Sequence, residues 1–423
     1  LQLYNQEYWE ISNLEVTESS GKGIYIGGSG FADLTYFRLT NLYSHHHGLH
    51  NGENAFAIGM YKKVSVHDVI IDNVVAHDAF RGIEVGGDCC NNPDIRSSDI
   101  IIRNSTVYDV ENDGILVASS NNVLVEHNLA YNTGLQPEQE NHTPNAIWNW
   151  DTDNALYQFN EAYQAHSPEW DGGAFDIDYF TDNSLYQYNY AHDNDAYCIS
   201  VFGGNPAHIT TNNVVRYNIC SNNARDGSYD ESRQGDIYLT NWYQGSIADT
   251  YIYNNTVYWN PAGPYYAIKV FNIFHGRDII NTNIYNNIIY SESPKLVYVD
   301  EFTDETALDY NLYWYTGTGD PEFYWDGTTY TSFSDYQVGS GQDVNGLYAD
   351  PNLNSPTYHD TGMPTSQFTL QLNSPARNAG ANLKLLGLQN DVGSQDFFGN
   401  HIPFGPFDIG AHEYHAAPKN PGN

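Results

Sequence analysis

The chain has 423 residues, and its 52 acidic side chains against 16 basic ones give a net charge of −36. So acidic a surface disfavours nucleic acid and anionic membranes as partners, and it suits an extracellular protein whose carboxylates are screened by cations. A polyanionic substrate is disfavoured as well, unless calcium bridges it. The sequence contains no run of 18 apolar residues, so we predict no insertion into a membrane.

One short phrase recurs along the chain: an asparagine, then small or β-branched residues, then an aromatic, histidine or polar residue. Gaps of 24 to 37 residues separate its ten occurrences, which begin at Asn13, Asn41, Asn73, Asn104, Asn128, Asn160, Asn189, Asn218, Asn255 and Asn287. A period of this length indicates a repeat architecture in which each unit stacks on its neighbours. We expect these asparagines to hydrogen-bond to one another up the stack and to have a structural role.

Each repeat contains three short strand-like runs separated by Gly, Asn, Asp and Ser. In one repeat these runs are residues 98–103, 104–109 and 114–118. Apolar and polar residues alternate with period two, and no segment shows a convincing helical period. Leucine-rich and helical solenoids need a helix in each repeat and are therefore disfavoured. The pattern predicts an all-β solenoid of about ten coils, a rod roughly 45–50 Å long.

The repeat pattern of residues 1–315 resembles the right-handed parallel β-helix (pectin-lyase-like) superfamily, in particular its secreted bacterial carbohydrate-active members. The resemblance implies right-handed coils. In residues 316–423 the repeat stops, and the run Asp408-Ile-Gly-Ala-His-Glu-Tyr414 resembles the closing segment of such proteins. We expect this segment to pack on the same solenoid and to cover its open edge. Leu1 begins within a strand pattern, so the chain is expected to be a trimmed fragment or to stack on another molecule.

The third strand of each coil can be aligned by an inward apolar pair. These pairs are Ile83/Val85, Ile115/Val117, Ile147/Asn149, Phe175/Ile177, Ile199/Val201, Ile237/Leu239, Ile268/Val270 and Val297/Val299. The residue between the two members of a pair must then point outward. We name the resulting outward row the third-strand column; it reads Glu84, Leu116, Trp148, Asp176, Ser200, Asp236 or Tyr238, Lys269 and Tyr298. We expect this column to face solvent.

Long insertions precede the middle third strands, at residues 134–145, 164–173 and 222–235. We expect them to rise beside the column as the walls of a groove. Their carboxylates are Glu138, Glu140, Glu169, Asp171, Asp226, Asp230 and Glu231.

Asp176 and Asp178 are the predicted catalytic pair. Residues i and i+2 of a strand lie roughly 6.6–7 Å apart, near the separation of about 6.5–9.5 Å found in inverting glycosidases. One carboxyl would act as general acid and the other as the base that activates water. A neighbouring carboxylate would shift the pKa values of Asp176 and Asp178 apart; the candidates are Asp151, Glu169 and Asp236. Solvated carboxylates or a calcium site are the alternatives for the same residues.

Aromatic planes beside carboxylates are typical of a sugar-binding cleft. The predicted substrate-binding residues are Trp148, Trp150, Tyr179, Phe202, Tyr238 and Lys269. We therefore predict an extracellular glycoside hydrolase that acts within a neutral or weakly charged polysaccharide, with no required cofactor and with calcium as an option. The alternatives are a calcium-dependent polysaccharide lyase with Lys269 as its base, and a non-catalytic solenoid that binds glycans or associates end to end.

Two further groups of residues are predicted to be structural. The run from His45 to His50 is expected to be a polar loop, because no acidic or cysteine partner lies at ligand spacing. His77 and His192 occupy the aromatic position of the repeat. The four cysteines are too few for a disulfide framework, and a bridge between Cys198 and Cys220 is disfavoured because they lie at different distances from their asparagines.

Overall fold

The fold is known from a computed structural model that describes residues 1–30, 32–48, 53–59, 64–86, 96–135, 144–167, 171–231, 234–241, 245–273, 278–300, 303, 305–356, 364–402 and 406–415. In this part of the chain the strands form three parallel sheets that wind into a solenoid. We number the sheets by their order within a coil. The first sheet precedes the asparagine of the repeat in the sequence, and the second sheet follows it. The third sheet carries the third-strand column.

Some strands bend from one sheet into the next. Those that run from the first sheet into the second are Trp9–Thr17, Ala32–His45 and Val64–Ala79, and those that run from the third into the first are Ile115–Glu126 and Ile147–Gln158. The remaining strands at the first sheet are Ser97–Arg103, Leu185–Gln187, Ile209–Thr211, Val214–Arg216, Ser246–Tyr253, Ile279–Tyr285 and Ala307–Asp309.

The other two sheets consist mostly of short strands. Those of the second sheet are Thr106–Val110, Leu129–Thr133, Glu161–Ala165, Tyr190–His192, Ile219–Ser221, Thr256–Trp259, Ile288–Ser291, Leu312–Tyr315 and Leu347–Tyr348. Those of the third are Gln2–Tyr4, Ile24–Gly27, Phe56–Ile58, Ile83–Val85, Phe175–Ile177, Ile199–Gly203, Gly235–Asn241, Tyr266–Phe271, Lys295–Val299 and Glu322–Trp325.

The strand register confirms the predicted inward pairs. Ile147 pairs with Phe175, and Phe175 pairs with Ile199 on the next coil. The two members of each predicted pair are buried, and all except the polar Asn149 join one continuous hydrophobic core that fills the bore of the solenoid. Burial of stacked β-branched and aromatic side chains is the main force that holds successive coils together.

The asparagine ladder is present, but it consists of two ladders one residue apart. Asn13, Asn41, Asn73 and Asn104 have a left-handed backbone with φ between 52° and 57°, and their side chains lie at the surface. From Asn128 onward the asparagine occupies the following, buried position, and the left-handed residue is instead His127 or its equivalent. The prediction of one uniform ladder was therefore wrong, because the two positions are adjacent in sequence and both favour asparagine.

The buried ladder satisfies backbone and side-chain groups together. The side-chain amide of Asn189 donates to the Oδ1 atom of Asn218 over 3.0 Å and to the backbone oxygen of Tyr157 over 2.9 Å. The Oδ1 atom of Asn189 in turn accepts from the backbone and side-chain nitrogens of Asn160. The pattern continues to Asn311, one coil beyond the predicted last asparagine.

The aromatic position of the repeat forms a stack of rings on the outer side of the second sheet. Successive centroids lie 4.5 to 5.1 Å apart along His45, His77, Tyr108, Tyr131, Tyr163 and His192. His77 and His192 stand in this stack, at the aromatic position where the repeat places them.

Two parts of the chain beyond residue 315 cover different surfaces of the solenoid. Thr328–Tyr330 pairs antiparallel with the last third-sheet strand and so occupies its open edge. The helix Phe333–Ser340 follows, and the ring of Tyr336 stacks on Phe323 at 4.7 Å. The rest, including the 3₁₀ turn Thr365–Phe368, packs along the side of the coils rather than on the end.

Cys198 and Cys220 form a disulfide with an S–S distance of 2.02 Å. The prediction of no bridge here was wrong. The two cysteines lie at different offsets because Cys198 leads into the third sheet and Cys220 lies in the second sheet of the next coil, and the bond joins them within the core. In the described ranges, no helix has both the length and the apolar character needed to cross a bilayer.

Candidate active site

The register of the third sheet confirms most of the predicted third-strand column. Trp148 pairs with Asp176, which pairs with Ser200 on the next coil. Ser200 pairs with Tyr238, and Tyr238 with Lys269. Of the two candidates left open for one coil, Tyr238 therefore occupies the column and Asp236 does not.

The column does not face open solvent. The side chains of its members from Glu84 to Lys269 are buried, and Asp176 is only 1% exposed. The prediction of a solvent-facing row was therefore wrong. The alternation of a strand assigns a residue to the outer side of the sheet, but it says nothing about what packs over that side.

Asp176 is held by hydrogen bonds at both carboxylate oxygens. The hydroxyl of Ser200 donates to its Oδ1 atom over 2.6 Å, and the side-chain amide of Asn145 donates to Oδ2 over 3.2 Å. Asn145 lies in the turn that precedes the strand Ile147–Gln158, so residues of three successive coils fix this one carboxyl group.

Asp178 and Asp171 lie beside Asp176 and are less buried. Asp178 is 9% exposed and its Oδ1 atom accepts the backbone amide of Tyr179 over 2.7 Å. Asp171 is partly exposed, and its Oδ1 atom lies 3.0 Å from the hydroxyl of Tyr197. Gly173 makes room for that ring, since a Cβ atom there would lie 2.1 Å from Tyr197. We name Asp171, Asp176 and Asp178 the acidic cluster.

The pKa values of Asp176 and Asp178 are strongly perturbed. Burial raises the pKa of Asp176 well above its usual value, and the nearby carboxylates of Asp178 and Asp171 raise it further. Burial also raises the pKa of Asp178, against the opposing effect of the Tyr179 amide, and Asp171 adds to the increase. Because like charges this close cannot all ionise readily, the cluster retains a proton at a pH where an isolated aspartate has lost it.

A second charged group, Asp113 with its cation Arg81, extends the site toward the N-terminal coils. The Oδ1 atom of Asp113 accepts the indole N–H of Trp148 over 2.9 Å. Its Oδ2 atom lies 2.7 Å from Arg81, which also pairs with Glu84 at 3.0 Å. Burial raises the pKa of Asp113, although Arg81 opposes this. Sequence reasoning missed Asp113 and Arg81 because they lie in turns, outside the strand alignment.

The aromatic residues divide into an accessible and a buried set. Trp150 and Tyr179 are partly exposed, and their rings meet edge to face at 5.6 Å. Trp148 lies 6.3 Å from Trp150 but is nearly buried. Phe202 and Tyr238 are buried within the core, which contradicts their prediction as surface sugar contacts.

The remaining predicted residues lie elsewhere or have other partners. Asp151 is buried, and its Oδ2 atom accepts the hydroxyl of Ser119 over 2.8 Å. Lys269 is buried, donates to the backbone oxygen of Glu231, and lies 5.0 Å from the ring centroid of Tyr298. Burial lowers the pKa of Lys269 to about 7. Glu169 lies outside the described residues, as do Glu138 and Glu140.

Asp236 belongs to an internal ladder at the turn into the third sheet. Its Oδ1 atom accepts the side-chain amide of Asn223 over 3.0 Å and the backbone amide of Cys198 over 3.1 Å. Asn223 itself accepts from Asn194 on the preceding coil. The prediction that Asp236 stands in the column beside Asp176 was therefore wrong.

Comparison with known proteins agrees with this architecture. Residues 1–162 match the family model described as "Right handed beta helix region". Over 175 residues the chain is 26% identical to the uncharacterized protein YwoF of Bacillus subtilis (strain 168), which covers 41% of this chain and 32% of that protein. The chain thus spans about a third of the length of this curated relative.

Two of the solved structures that resemble the chain have named activities or ligands. The complex of XylC with xylose matches 94% of this chain and 66% of its own, with 14% identity and a TM-score of 0.51. The GH136 lacto-N-biosidase from Eubacterium ramulus matches 61% of this chain and 46% of its own, with 22% identity and a TM-score of 0.45. At these identities the likeness concerns the fold alone. The chain thus folds as a parallel β-helix, and its residues 1–162 match the right-handed family model.

Proposed function

We propose that the chain is an extracellular carbohydrate-active enzyme that hydrolyses glycosidic bonds within a neutral or weakly charged polysaccharide. One observation carries the proposal: the acidic cluster, with its raised pKa values, adjoins the partly exposed rings of Trp150 and Tyr179. Carboxyl groups that stay protonated near neutral pH can donate to a glycosidic oxygen, and indole and phenol rings stack on sugar faces. A β-helix solved with xylose bound, XylC, is consistent with this substrate class.

Asp178 is the proposed general acid. Its carboxyl group is nearly buried, its pKa is raised, and it retains some exposure toward solvent. In the proposed step it donates its proton to the glycosidic oxygen, and the bond from that oxygen to the anomeric carbon breaks. Asp171, which is more exposed, takes a proton from the water that attacks the same carbon. The product would have inverted configuration at that carbon.

Asp176 is better suited to positioning than to contact with the sugar. Both of its oxygens already accept hydrogen bonds, and its side chain is 1% exposed. Burial and the nearby carboxylate of Asp171 raise the pKa of Asp178, which is the requirement for a general acid, and Asp176 interacts electrostatically with the same group. This assignment retains the predicted paired-aspartate mechanism and transfers the role of base from Asp176 to Asp171.

The test is release of reducing ends from a panel of neutral and weakly charged plant and marine polysaccharides. We expect Asp178→Asn and Asp171→Asn each to lower kcat by at least about 100-fold, on the scale of general acid–base catalysis. Asp176→Asn should lower kcat less and move the alkaline limb of the pH profile, which reports the pKa of the general acid. Asp391→Asn, at a carboxylate that is 81% exposed in the closing segment, is the matched control and should be fully active. NMR of the first product anomer reports inversion.

Three results would overturn the proposal. Full activity of Asp178→Asn would remove the proposed acid. Unsaturated products that absorb in the ultraviolet, lost on addition of chelator, would favour the polysaccharide lyase. Tight binding to the panel without turnover would favour a non-catalytic glycan-binding solenoid.

A further inference from the structure

A group of imidazole and carboxylate side chains lies outside the acidic cluster, on the second sheet of the N-terminal coils. We propose that His46, His77 and Asp78 form a binding site for one divalent transition-metal ion. Each of the three offers a nitrogen or oxygen ligand atom, and these atoms lie within 4.8 Å of one another. The site is independent of the proposed hydrolase function.

The stacking of two coils brings these residues together. His45 pairs with His77 in the parallel register, so His46 and Asp78 occupy equivalent positions on adjacent coils. Both have a left-handed backbone, with φ of 57° and 47°. The Nε2 atom of His46 lies 3.7 Å from the Oδ2 atom of Asp78, and the Nδ1 atom of His77 lies 2.6 Å from that same oxygen.

A chain of hydrogen bonds sets the tautomer of His46. The Nε2 atom of His45 lies 3.0 Å from a carboxylate oxygen of Glu15, and the Nδ1 atoms of His45 and His46 are 2.5 Å apart. When Glu15 accepts the proton on Nε2 of His45, the Nδ1 atom of that ring is an acceptor, and the Nδ1–H group of His46 at 2.5 Å lies closer to it than the hydroxyl of Thr17 at 3.3 Å. The Nε2 atom of His46 then carries a lone pair on the side of Asp78. Such outer partners orient metal-binding imidazoles in known sites.

A hydrogen bond to Tyr43 sets the tautomer of His77 in a similar way. The hydroxyl of Tyr43 lies 2.6 Å from the Nε2 atom of His77. When that nitrogen donates its proton to Tyr43, the Nδ1 atom is left as an acceptor, which is the form that binds a metal. Two imidazole lone pairs and one carboxylate then converge on one space, where a metal ion would replace the proton otherwise shared by His77 and Asp78.

The distances suit a tetrahedral ion. Ligand atoms about 2.0–2.1 Å from zinc lie about 3.3 Å from one another. The observed separations of 3.7 and 2.6 Å lie on either side of this value, and the third, between the two imidazole nitrogens, is within 4.8 Å, so a bound ion would draw the three side chains together. His46 is 53% exposed, which leaves a fourth position open to water. Two nitrogen ligands and one oxygen ligand favour zinc or cobalt over calcium, which prefers oxygen alone.

Spacing along the sequence conceals this site. Among the histidine run from His45 to His50, no acidic partner lies at ligand spacing, and we therefore predicted a polar loop. Glu15 and Asp78 come from the coils on either side, 30 and 32 residues away in the chain. Only the register of the solenoid brings them beside His45 and His46.

The experiment is isothermal titration of chelator-stripped, full-length protein with Zn²⁺, in excess Mg²⁺ to occupy the many surface carboxylates. Visible absorption of the Co²⁺ form reports the coordination geometry. We expect the wild type to bind one equivalent, and His46→Ala and Asp78→Asn to weaken binding by at least about 100-fold. Glu15→Gln, which alters only the hydrogen-bond chain, should weaken it about 10- to 100-fold.

His67→Ala is the matched control. His67 lies in the same strand as His77 and pairs with a carboxylate, Asp33, at 2.5 Å, but it is outside the proposed ligand set. This variant should bind Zn²⁺ like the wild type. The proposal is overturned if the wild type binds no more tightly than His46→Ala, or if His67→Ala loses as much affinity as His46→Ala.

Discussion

Replacing Asp236 with asparagine is expected to stabilise the protein at neutral pH. Burial raises the pKa of Asp236 to about 7, well above the usual value of an aspartate. The Oδ2 atom has no hydrogen-bond partner among the described residues, while Oδ1 accepts from Asn223 and Cys198. An asparagine can accept the same two bonds through its own Oδ1 atom, and it carries no charge to bury.

The sign and size of the effect follow from proton linkage. Below the unfolded pKa both states are protonated, so Asp236 imposes no penalty there. Between pH 4 and 7 the unfolded chain ionises while the folded protein does not, and the free energy of unfolding falls by about 1.4 kcal/mol per pH unit. The total loss above pH 7 is about 4 kcal/mol, an upper figure for a single buried carboxyl. Asp236→Asn removes this loss, so its advantage should be small at pH 4 and largest above pH 7.

Urea unfolding of the wild type and of Asp236→Asn at several values between pH 4 and 8, followed by circular dichroism, measures the difference. Asp320→Asn, at an exposed acid, is the control and should follow the wild type at every pH. The reasoning is refuted if Asp236→Asn is less stable than the wild type at pH 8, or if the difference between them does not depend on pH. The proposed hydrolytic activity should be unchanged, because Asp236 lies outside the acidic cluster.

Two further predictions concern the ladder and the disulfide. Asn189→Ala should lower the free energy of unfolding by at least about 3 kcal/mol, because it leaves several buried donors and acceptors without partners. Asn41→Gly, at the exposed ladder, should change the free energy of unfolding by less than about 1 kcal/mol. Urea unfolding of both variants compares these effects. Reduction of Cys198–Cys220, or the double change to serine, should lower the stability by about 3 kcal/mol for a bridge across 22 residues, and an unaltered denaturation midpoint under reducing conditions would contradict this.

The sequence alone was sufficient for the solenoid and for much of its register. A period near 30 residues, with alternation inside each run, led to the parallel coils, the inward pairs and the aromatic stack. These features recur from coil to coil, so each one is supported by several examples. Stacking in register requires side chains of similar shape at equivalent positions, and that requirement is visible in the sequence.

The candidate site was only partly predictable. Alternation placed Trp148 and Asp176 on the outer side of one sheet, and the register confirms it. The burial of that side, the contribution of Asp113 and Arg81 from turns, and the location of Asp236 in an internal ladder all depended on how the connections between strands pack. Those connections vary in length from coil to coil and have no repeat from which to align them.

The sequence by itself thus determined which residues share a strand, a face and a coil, because backbone geometry fixes these relations over a few residues. Only the tertiary structure decided which carboxyl groups lose contact with water and which histidines meet an acid. Cys198 and Cys220, or His46 and Asp78, become neighbours through the stacking of whole coils. Burial and pairing of this kind depend on groups about one coil away, which is some 20 to 40 residues along the chain. Burial and pairing in turn determine the pKa values on which any chemistry at these sites depends.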